Sequence, residues 1–326
     1  MNRNTLSAFV DQHIALCRHS SRTHPDDIER DFLQSNYWRG LLYDFIEFWS
    51  SRGGPWPITS AFGLDWVSEG TDPKNPYKAR QRLKGLRRFL KFLRGTEPAT
   101  QVPENLFGRR PRRIPRLLSI QEIRRLMKAP EQLRLCQPFH GLTLTTLLGL
   151  LASTGMRIGE AIRLKIEDAH LDENPPYLAI YETKFGKSRI VVLHASVADR
   201  LRAYAKARET VLGTRSAEPF FVRQTGKTLR YNTTLITFRR LLRHAGITDT
   251  TVESKVTPHT LRHSFVVRRL TLWHRTGENV AELLPHLSVY LGHLSPADTY
   301  WYLTATPELL ESASARFENP VEGALR

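Results

Sequence analysis

Apolar residues recur at steps of three and four positions through most of the first hundred residues, which is typical of amphipathic helices. The spacing predicts helices over residues 6–17, from about 27 to 50, over 59–68 and over 77–94. Segments that contain glycine and proline, at 53–55 and 70–76, separate the later helices. We therefore predict a small helical domain over residues 1–100.

The second part of the chain mixes helical spacing with strand-like runs. Helical spacing predicts helices near residues 119–128, 142–153, 158–164, 196–209, 231–245, 258–272 and 280–290. Two β-prone runs, 177–183 and 189–193, flank a polar segment, and this arrangement predicts an antiparallel β-hairpin. We therefore expect a two-domain, mainly α-helical fold with a small antiparallel β-sheet. The second, mixed α/β domain would occupy residues 117–326 and end in a tail from about residue 304.

The predicted helix over residues 77–94 carries many cations and almost no acidic residue to balance them. A solvated helix face is the ordinary explanation for such charges. Because all the charges have one sign, contact with phosphates is the favoured interpretation. The cations on this helix are Lys78, Arg80, Arg82, Lys84, Arg87, Arg88, Lys91 and Arg94. All except Arg82 and Arg94 are predicted to contact DNA.

Residues 101–116, between the two predicted domains, form a linker rich in arginine and proline. Its second half carries five arginines and is too often interrupted by proline to be helical. Such a segment can stay extended and follow a phosphate backbone. A hinge whose charges only keep the protein in solution is the alternative. The linker residues predicted to contact DNA are Arg109, Arg110, Arg112 and Arg113.

Composition narrows the class of partner. The 326 residues carry a formal net charge of +16, which indicates a polyanionic partner such as nucleic acid, with an acidic membrane surface as the rival. No apolar run approaches the roughly 18 residues of a membrane span, and no secretory signal is apparent. The two cysteines are far apart, which disfavours a disulfide framework or a cysteine zinc site. We expect a cytoplasmic, nucleoid-associated protein.

His259 and Arg262 are the first candidates for a functional site. They lie one turn apart on a predicted helix, and Pro258 favours a helix start at that point. The positive end of the helix dipole suits a bound anion, and a guanidinium can hold a phosphate with two parallel donors. A surface helix whose polar groups are already satisfied would show the same residues.

Further candidates lie at the ends of other predicted elements. Arg157 stands beside a glycine turn at a helix start, Lys184 lies in the predicted hairpin, and His293 follows a helix end. Tyr302 is nine residues further on. Tyr300 and Lys187 are the alternatives to Tyr302 and Lys184 as site residues.

Five short segments in this order resemble those of the tyrosine recombinase/integrase family, which includes Xer proteins and phage integrases. They are Thr-Gly-Met-Arg-Ile-Gly-Glu (154–160), Thr-Lys-Phe-Gly-Lys-Ser-Arg (183–189), His-Thr-Leu-Arg-His (259–263), Leu-Gly-His (291–293) and Thr-x-x-Tyr (299–302). The resemblance covers residues 117–305, and the run 293–310 is also similar to recombinases of transposons and other mobile elements. The N-terminal domain is similar to the family's helical core-binding domain only in size, helicity and charge.

The resemblance implies a site-specific DNA recombinase that cuts and rejoins strands through a 3′-phosphotyrosyl intermediate and a Holliday junction. Tyr302 would be the nucleophile, and Lys184 would protonate the leaving 5′ oxygen. Arg157 and Arg262 would stabilise charge on the phosphate, because guanidinium donors do not deprotonate. The remaining expected roles are phosphate binding or proton removal by His259, a hydrogen bond from His293, orientation of the site by Glu160, and packing or support by His263.

The same resemblance implies partners, and the residue types near the candidates bear on cofactors. Double-stranded DNA with a specific site would be bound by a homo- or hetero-tetramer, with possible partner recombinases. No carboxylate cluster with metal-ligand spacing accompanies the candidates, so we expect no divalent metal and no nucleotide. Two alternatives stay open: a type IB topoisomerase that relaxes DNA, and a non-catalytic DNA-binding accessory protein of a mobile element.

Overall fold

The computed structural model describes residues 2–18, 25–69, 71–72, 76–107, 116–133, 138–181, 188–215, 217–249, 255–293 and 295–305. The chain divides into two compact units, Met1–Arg112 and Arg113–Arg326. None of the described helices is long and apolar enough to cross a membrane. The predicted fold class, mainly α with one small antiparallel sheet, is confirmed.

The described residues of the first unit form four helices: α1 (Arg3–Arg18), α2 (Pro25–Ser51), α3 (Ser60–Ser68) and α4 (Tyr77–Leu93). Each corresponds to one of the predicted helices. The start of α3 is set by Thr59, whose hydroxyl accepts a hydrogen bond from the backbone N–H of Phe62. The apolar faces of these helices meet in one core, where Phe45, Trp66 and Phe89 are completely buried. Helical periodicity alone is therefore sufficient to predict this unit.

Arg82 corrects the interpretation of α4 as a one-sided basic helix. Its side chain is buried, it donates to the backbone carbonyl of Trp66 at 2.8 Å, and it pairs with Asp44 at 2.5 Å. The guanidinium also lies over the Trp66 ring, 4.7 Å from its centre. Arg82 therefore stabilises the core of the first unit. The α4 cations that remain exposed are Lys78, Lys84, Arg88, Lys91 and Arg94, whereas Arg80 and Arg87 are half-buried.

The second unit contains eight helices and one sheet within its described residues. The helices are α5 (Ile120–Gln132), α6 (Pro138–Thr154), α7 (Ile158–Arg163), α8 (Ala195–Leu212), α9 (Tyr231–His244), α10 (Pro258–Thr276), α11 (Val280–Leu291) and α12 (Ala297–Ala305). Helix α6 is apolar on nearly every side, and it lies in the middle of the main core between α5, α8 and α10. A central apolar helix of this kind gives the other elements a common surface to pack on.

The sheet consists of β1 (Ala169–His170), β2 (Tyr177–Ile180) and β3 (Arg189–Val192), in that spatial order. Tyr177 pairs with Val192 and Ile180 pairs with Arg189, so the predicted antiparallel hairpin is confirmed. The two strands are shorter than predicted. Strand β1 was not predicted because its two residues give no period and are strand-like only through pairing with β2.

The C-terminal region differs from the prediction in one element. Helix α12 was not predicted, because its nine residues mix aromatic and polar side chains without a clear apolar stripe. The tail predicted from about residue 304 lies almost entirely outside the described residues. Helix α12 packs against α10 and α11, and Tyr302 joins Phe265, Leu284 and Leu291 in a separate apolar cluster. This packing brings the candidate nucleophile to the start of α10.

Candidate active site

Four chain segments meet around the candidate residues: the turn before α7, the beginning of α10, the end of α11, and α12. Arg157 immediately precedes α7, and its backbone N–H donates to the carboxylate of Glu160 at 3.0 Å, which fixes the start of the helix. At the start of α10, the backbone N–H of Thr257 donates to the Thr260 hydroxyl at 3.0 Å, and the backbone N–H of Thr260 donates to the Thr257 carbonyl at 2.8 Å. These local contacts hold the turns from which Arg157 and His259 project.

Three arginines converge on the C-terminal end of α11. The last carbonyls of a helix have no partner within the helix and carry the negative end of its dipole, so they attract cations. Here three consecutive carbonyl oxygens each accept a hydrogen bond from a different arginine. The pairs are Arg189 Nε to Tyr290 at 2.8 Å, an Arg262 terminal nitrogen to Leu291 at 2.9 Å, and an Arg157 terminal nitrogen to Gly292 at 3.0 Å. We call these three oxygens the α11 carbonyl row.

Glu160 supplies the carboxylate that balances this charge. It is buried and pairs with Arg157 at 2.8 Å and with Arg189 at 2.7 Å. Burial alone would raise the pKa of Glu160, but hydrogen bonds and charge from Arg189, and then from Arg157, lower it to about 2. The carboxylate is therefore ionised at neutral pH. One carboxylate among three guanidiniums leaves a local excess of positive charge, which suits an anion.

Arg262 is the most buried member of the group, with 1% of its surface exposed. Its other terminal nitrogen donates to the Gly155 carbonyl at 2.9 Å, and its Nε has no hydrogen-bond partner among the described residues. Burial, and then the charge of Arg157, lower the pKa of Arg262 to about 9, so it stays protonated at neutral pH. A buried guanidinium with donors to spare has strong affinity for a phosphate oxygen.

The Tyr302 hydroxyl lies 2.6 Å from Nδ1 of His263, and Tyr302 is 3% exposed. Burial, and then the neighbouring groups His259 and Arg262, lower the pKa of His263 to about 3. A neutral imidazole has one ring nitrogen without a proton, so it can accept a hydrogen bond from the phenol. The sequence suggested that His263 packs or supports the site; the structure places it in direct contact with the candidate nucleophile.

Two further histidines belong to the same group. The centre of the His259 ring lies 4.6 Å from that of the His263 ring, and His259 is exposed to solvent. Desolvation by the surrounding protein, and then the charges of Arg262 and Arg157, lower the pKa of His259 to about 4. His293 Nδ1 is 2.7 Å from the hydroxyl of the fully buried Thr299, and burial followed by Arg262 lowers the pKa of His293 to about 3. All three imidazoles are therefore neutral near pH 7.

The structure brings most of the predicted site residues together. The group contains Arg157, Glu160, His259, Arg262, His263, His293 and Tyr302. Tyr300, the competitor of Tyr302, is 46% exposed. Lys184, Lys187 and the linker residues Arg109, Arg110, Arg112 and Arg113 lie outside the described residues. No group of metal-binding side chains occurs among the residues that the structure describes.

The prediction missed Arg189 as a member of this group. It is the last residue of the segment 183–189 that carries the family resemblance, and it begins β3. A cation as the first residue of a strand predicts that the strand begins at an exposed position. Its acidic partner, Glu160, is 29 residues away in sequence, so only the tertiary structure reveals the pair.

Known proteins are similar to this chain over most of its length. A model of the phage integrase family matches residues 116–308. The chain is 37% identical over 287 residues to y4rB of Sinorhizobium fredii, whose name carries the description integrase/recombinase, with coverage of 86% of this chain and 90% of that protein. It is 27% identical to the tyrosine recombinase XerD of Ralstonia nicotianae, with coverage of 89% of each chain. The chain therefore belongs to the phage integrase family of tyrosine recombinases.

Solved structures share the same fold. The XerH site-specific recombinase bound to its difH substrate superposes with a TM-score of 0.64 at 19% identity, covering 97% of this chain and 96% of that one. The integrase of the transposon Tn1549, bound to transposon right-end DNA, gives a TM-score of 0.61 at 15% identity, with coverage of 96% and 98%. At identities of 19% and 15%, this similarity shows that the fold is shared.

The lowered histidine pKa values predict how stability changes with pH. The unfolded chain binds protons near the ordinary histidine pKa of about 6.5, whereas folded His263 does not bind one until about pH 3. The unfolded state therefore holds more protons between these values, and the free energy of unfolding should fall as the pH drops below about 6.5. His263→Gln should reduce this slope by at most about 1.4 kcal/mol per pH unit.

Urea unfolding at pH 7.5, 6.5, 5.5 and 5.0 would measure this slope. The exposed His286, changed to Gln, is the matched control and should leave the slope as it is in the wild type. Equal slopes for the wild type and His263→Gln would show that His263 is not held neutral by the fold.

Proposed function

We propose that the protein is a site-specific DNA recombinase that cuts and rejoins DNA strands through a covalent bond between Tyr302 and a 3′ phosphate. The observation that carries the proposal is the buried Tyr302 hydroxyl, 2.6 Å from the neutral imidazole of His263. An ionised Tyr302 would raise the pKa of Arg262, so the phenol is close enough for its ionised form to be stabilised by the guanidinium. A nucleophile, a proton acceptor and charge-stabilising donors are therefore combined in one place.

In the proposed reaction, Tyr302 Oη bonds to the scissile phosphorus while the bond to the 5′ oxygen breaks. The phenolic proton passes to a histidine, and the contact at 2.6 Å favours His263 as the immediate acceptor, with His259 beside it. Lys184 gives a proton to the leaving 5′ oxygen. The phosphotyrosyl bond keeps the energy of the phosphodiester, so a 5′ hydroxyl of the partner strand can reverse the step without ATP or a metal ion.

Arg157 and Arg262 would bind the non-bridging oxygens. Each donates two side-chain hydrogen bonds to the protein, Arg157 to Glu160 and Gly292 and Arg262 to Gly155 and Leu291. The remaining N–H groups can donate to the non-bridging oxygens as negative charge develops on them. Loss of one such donor reduces catalysis by about 100- to 1,000-fold in comparable oxyanion sites. His293, held by Thr299, would add a further hydrogen bond.

The charge of the chain supports DNA as the substrate. The formal net charge is +16, and α4 presents exposed cations on the first unit. We propose that residues 1–100 form a DNA-binding domain and that residues 101–116 link it to the catalytic domain. We also propose that a tetramer forms on DNA and exchanges strands through a Holliday junction. Solved relatives include a lambda integrase tetramer bound to a Holliday junction, with a TM-score of 0.60 at 16% identity.

Trapping of the covalent intermediate tests the proposal. In a DNA substrate with a nick beside the cut site, cleavage frees a short fragment that carries the 5′ hydroxyl. This fragment diffuses away, so the strand cannot be rejoined. The covalent adduct then accumulates and migrates as a protein–DNA band on a denaturing gel. The wild type should form this band, and Tyr302→Phe should form none, because it lacks the attacking oxygen. Tyr300→Phe is the matched control, two residues away and exposed, and should keep the adduct.

The outcomes separate the alternatives. No adduct from the wild type on any end of the genetic element that carries the gene would favour the non-catalytic accessory protein. An adduct from Tyr302→Phe would show that another residue is the nucleophile. Relaxation of plasmids that lack a specific site would favour the topoisomerase.

The exposed cations of α4 should contact phosphates. Lys84→Gln combined with Lys91→Gln should reduce the slope of log affinity against log salt by about 0.9 for each phosphate that the protein no longer neutralises, and hence by up to about 2. The control is Arg200→Gln with Lys206→Gln on α8, which removes the same charge from exposed positions elsewhere. Fluorescence anisotropy between 50 and 300 mM salt (roughly the useful range for such slopes) measures both. Equal slopes for the two double variants would show that Lys84 and Lys91 of α4 have no direct role in phosphate contact.

A further inference from the structure

Arg189 is the member of the arginine group for which the proposed reaction has no role. We propose that Arg189 is a positioning residue, which keeps Arg157 available to the scissile phosphate by sharing the Glu160 carboxylate and by holding the end of α11. The inference rests on the proposed function, because it concerns the phosphate that Arg157 would bind. It assigns no contact between Arg189 and DNA.

Every nitrogen of the Arg189 guanidinium already has a protein partner. The two terminal nitrogens donate to the two oxygens of Glu160, at 3.2 and 2.7 Å, and Nε donates to the Tyr290 carbonyl at 2.8 Å. The side chain is 6% exposed, compared with 27% for Arg157. Arg157 is thus the more exposed of the two, whereas all three nitrogens of the Arg189 guanidinium are engaged by the protein. A lysine could not reproduce this two-pronged contact.

Glu160 is the point at which the two arginines compete. Its Oε1 accepts from terminal nitrogens of both Arg157 and Arg189, and its Oε2 accepts from Arg189 and from the Arg157 backbone. If Arg189 were removed, Arg157 would be the one guanidinium left to the carboxylate among the described residues. The buried carboxylate would then attract Arg157 more strongly and engage donors that the phosphate needs.

Gly292 shows that the fold makes room for this arrangement. Its φ of +68° is in the left-handed region, and a Cβ there would lie 2.8 Å from a terminal nitrogen of Arg189. The carbonyl of the same residue accepts the hydrogen bond from Arg157. Arg189 and Arg157 therefore contact the same turn from two sides. A shift of Arg189 would move the oxygen that orients Arg157.

The proposal is tested by single-turnover cleavage of the nicked substrate by full-length Arg189→Lys. This variant keeps the charge but loses the two-pronged contact, and we expect cleavage to slow by roughly 10- to 100-fold, since a misplacement of about 1 Å can cost that much. DNA affinity at the same salt concentration should stay within about twofold of the wild type, because Arg189 contacts protein and not phosphate. Arg200→Lys, at an exposed position, is the matched control and should cleave at the wild-type rate.

Two modified substrates reveal which catalytic group Arg189 serves. A neutral methylphosphonate at the cut site needs less stabilisation by arginine, so the deficit of Arg189→Lys relative to the wild type should shrink to about threefold or less. A 5′-bridging phosphorothiolate has a leaving group that needs no proton, so it should leave the deficit unchanged. A purely structural defect would reduce cleavage of all three substrates equally.

Several results would overturn the proposal. Cleavage by Arg189→Lys at the wild-type rate would show that Arg189 is dispensable. An equal deficit on all substrates would show that Arg189 only stabilises the fold through its ion pair with Glu160. Recovery on the phosphorothiolate alone would indicate that Arg189 acts through the segment that contains Lys184. If Arg189→Lys does not fold, Gly292→Ala tests the same contact from the other side, with the same pattern expected. Failure of the wild type to form any adduct would instead refute the proposed function.

Discussion

The arrangement of this site depends on the hydrogen bonds between three arginines and the last carbonyls of α11. Guanidinium groups repel one another, so three of them gather only where fixed negative charge compensates them. The α11 carbonyl row supplies the negative end of a helix dipole, and Glu160 supplies a full charge that stays ionised because its pKa is about 2. The arginines are therefore oriented before any phosphate arrives, and the cost of ordering them is met during folding.

The proposed nucleophile, Tyr302, is held by a different kind of contact. Burial and positive neighbours keep His263 neutral, and its ring nitrogen can then accept the hydrogen bond from the hydroxyl of Tyr302. The same arginines that would stabilise the phosphate thus also disfavour protonation of the histidines around it. Helix α12 joins the two halves of the site, since it packs on α10 and α11 and carries both Tyr302 and the Thr299 that contacts His293. The groups proposed to bind phosphate and to accept the proton therefore depend on one packing arrangement.

Sequence alone predicted the helices and the hairpin, because periodic burial and turn residues are local signals. It also predicted the residues that meet in the site, through a resemblance spread over five short segments. It failed where a residue's role depends on distant partners. Arg82 was counted with the basic surface but is neutralised by Asp44, and Arg189 was overlooked because Glu160 is remote in sequence. Helix α12 was missed because its stability comes from packing rather than from its own pattern.

In the proposed site, the arginines are already in position to bind the scissile phosphate. A crystal structure of Tyr302→Phe bound to its uncut DNA site would show whether they are. We expect Arg262 still to donate to Leu291 and Arg157 to Gly292, while their remaining N–H groups contact the two non-bridging oxygens of one phosphate. Arginines that leave the α11 carbonyl row to reach the phosphate, or a scissile phosphate bound elsewhere, would contradict this expectation.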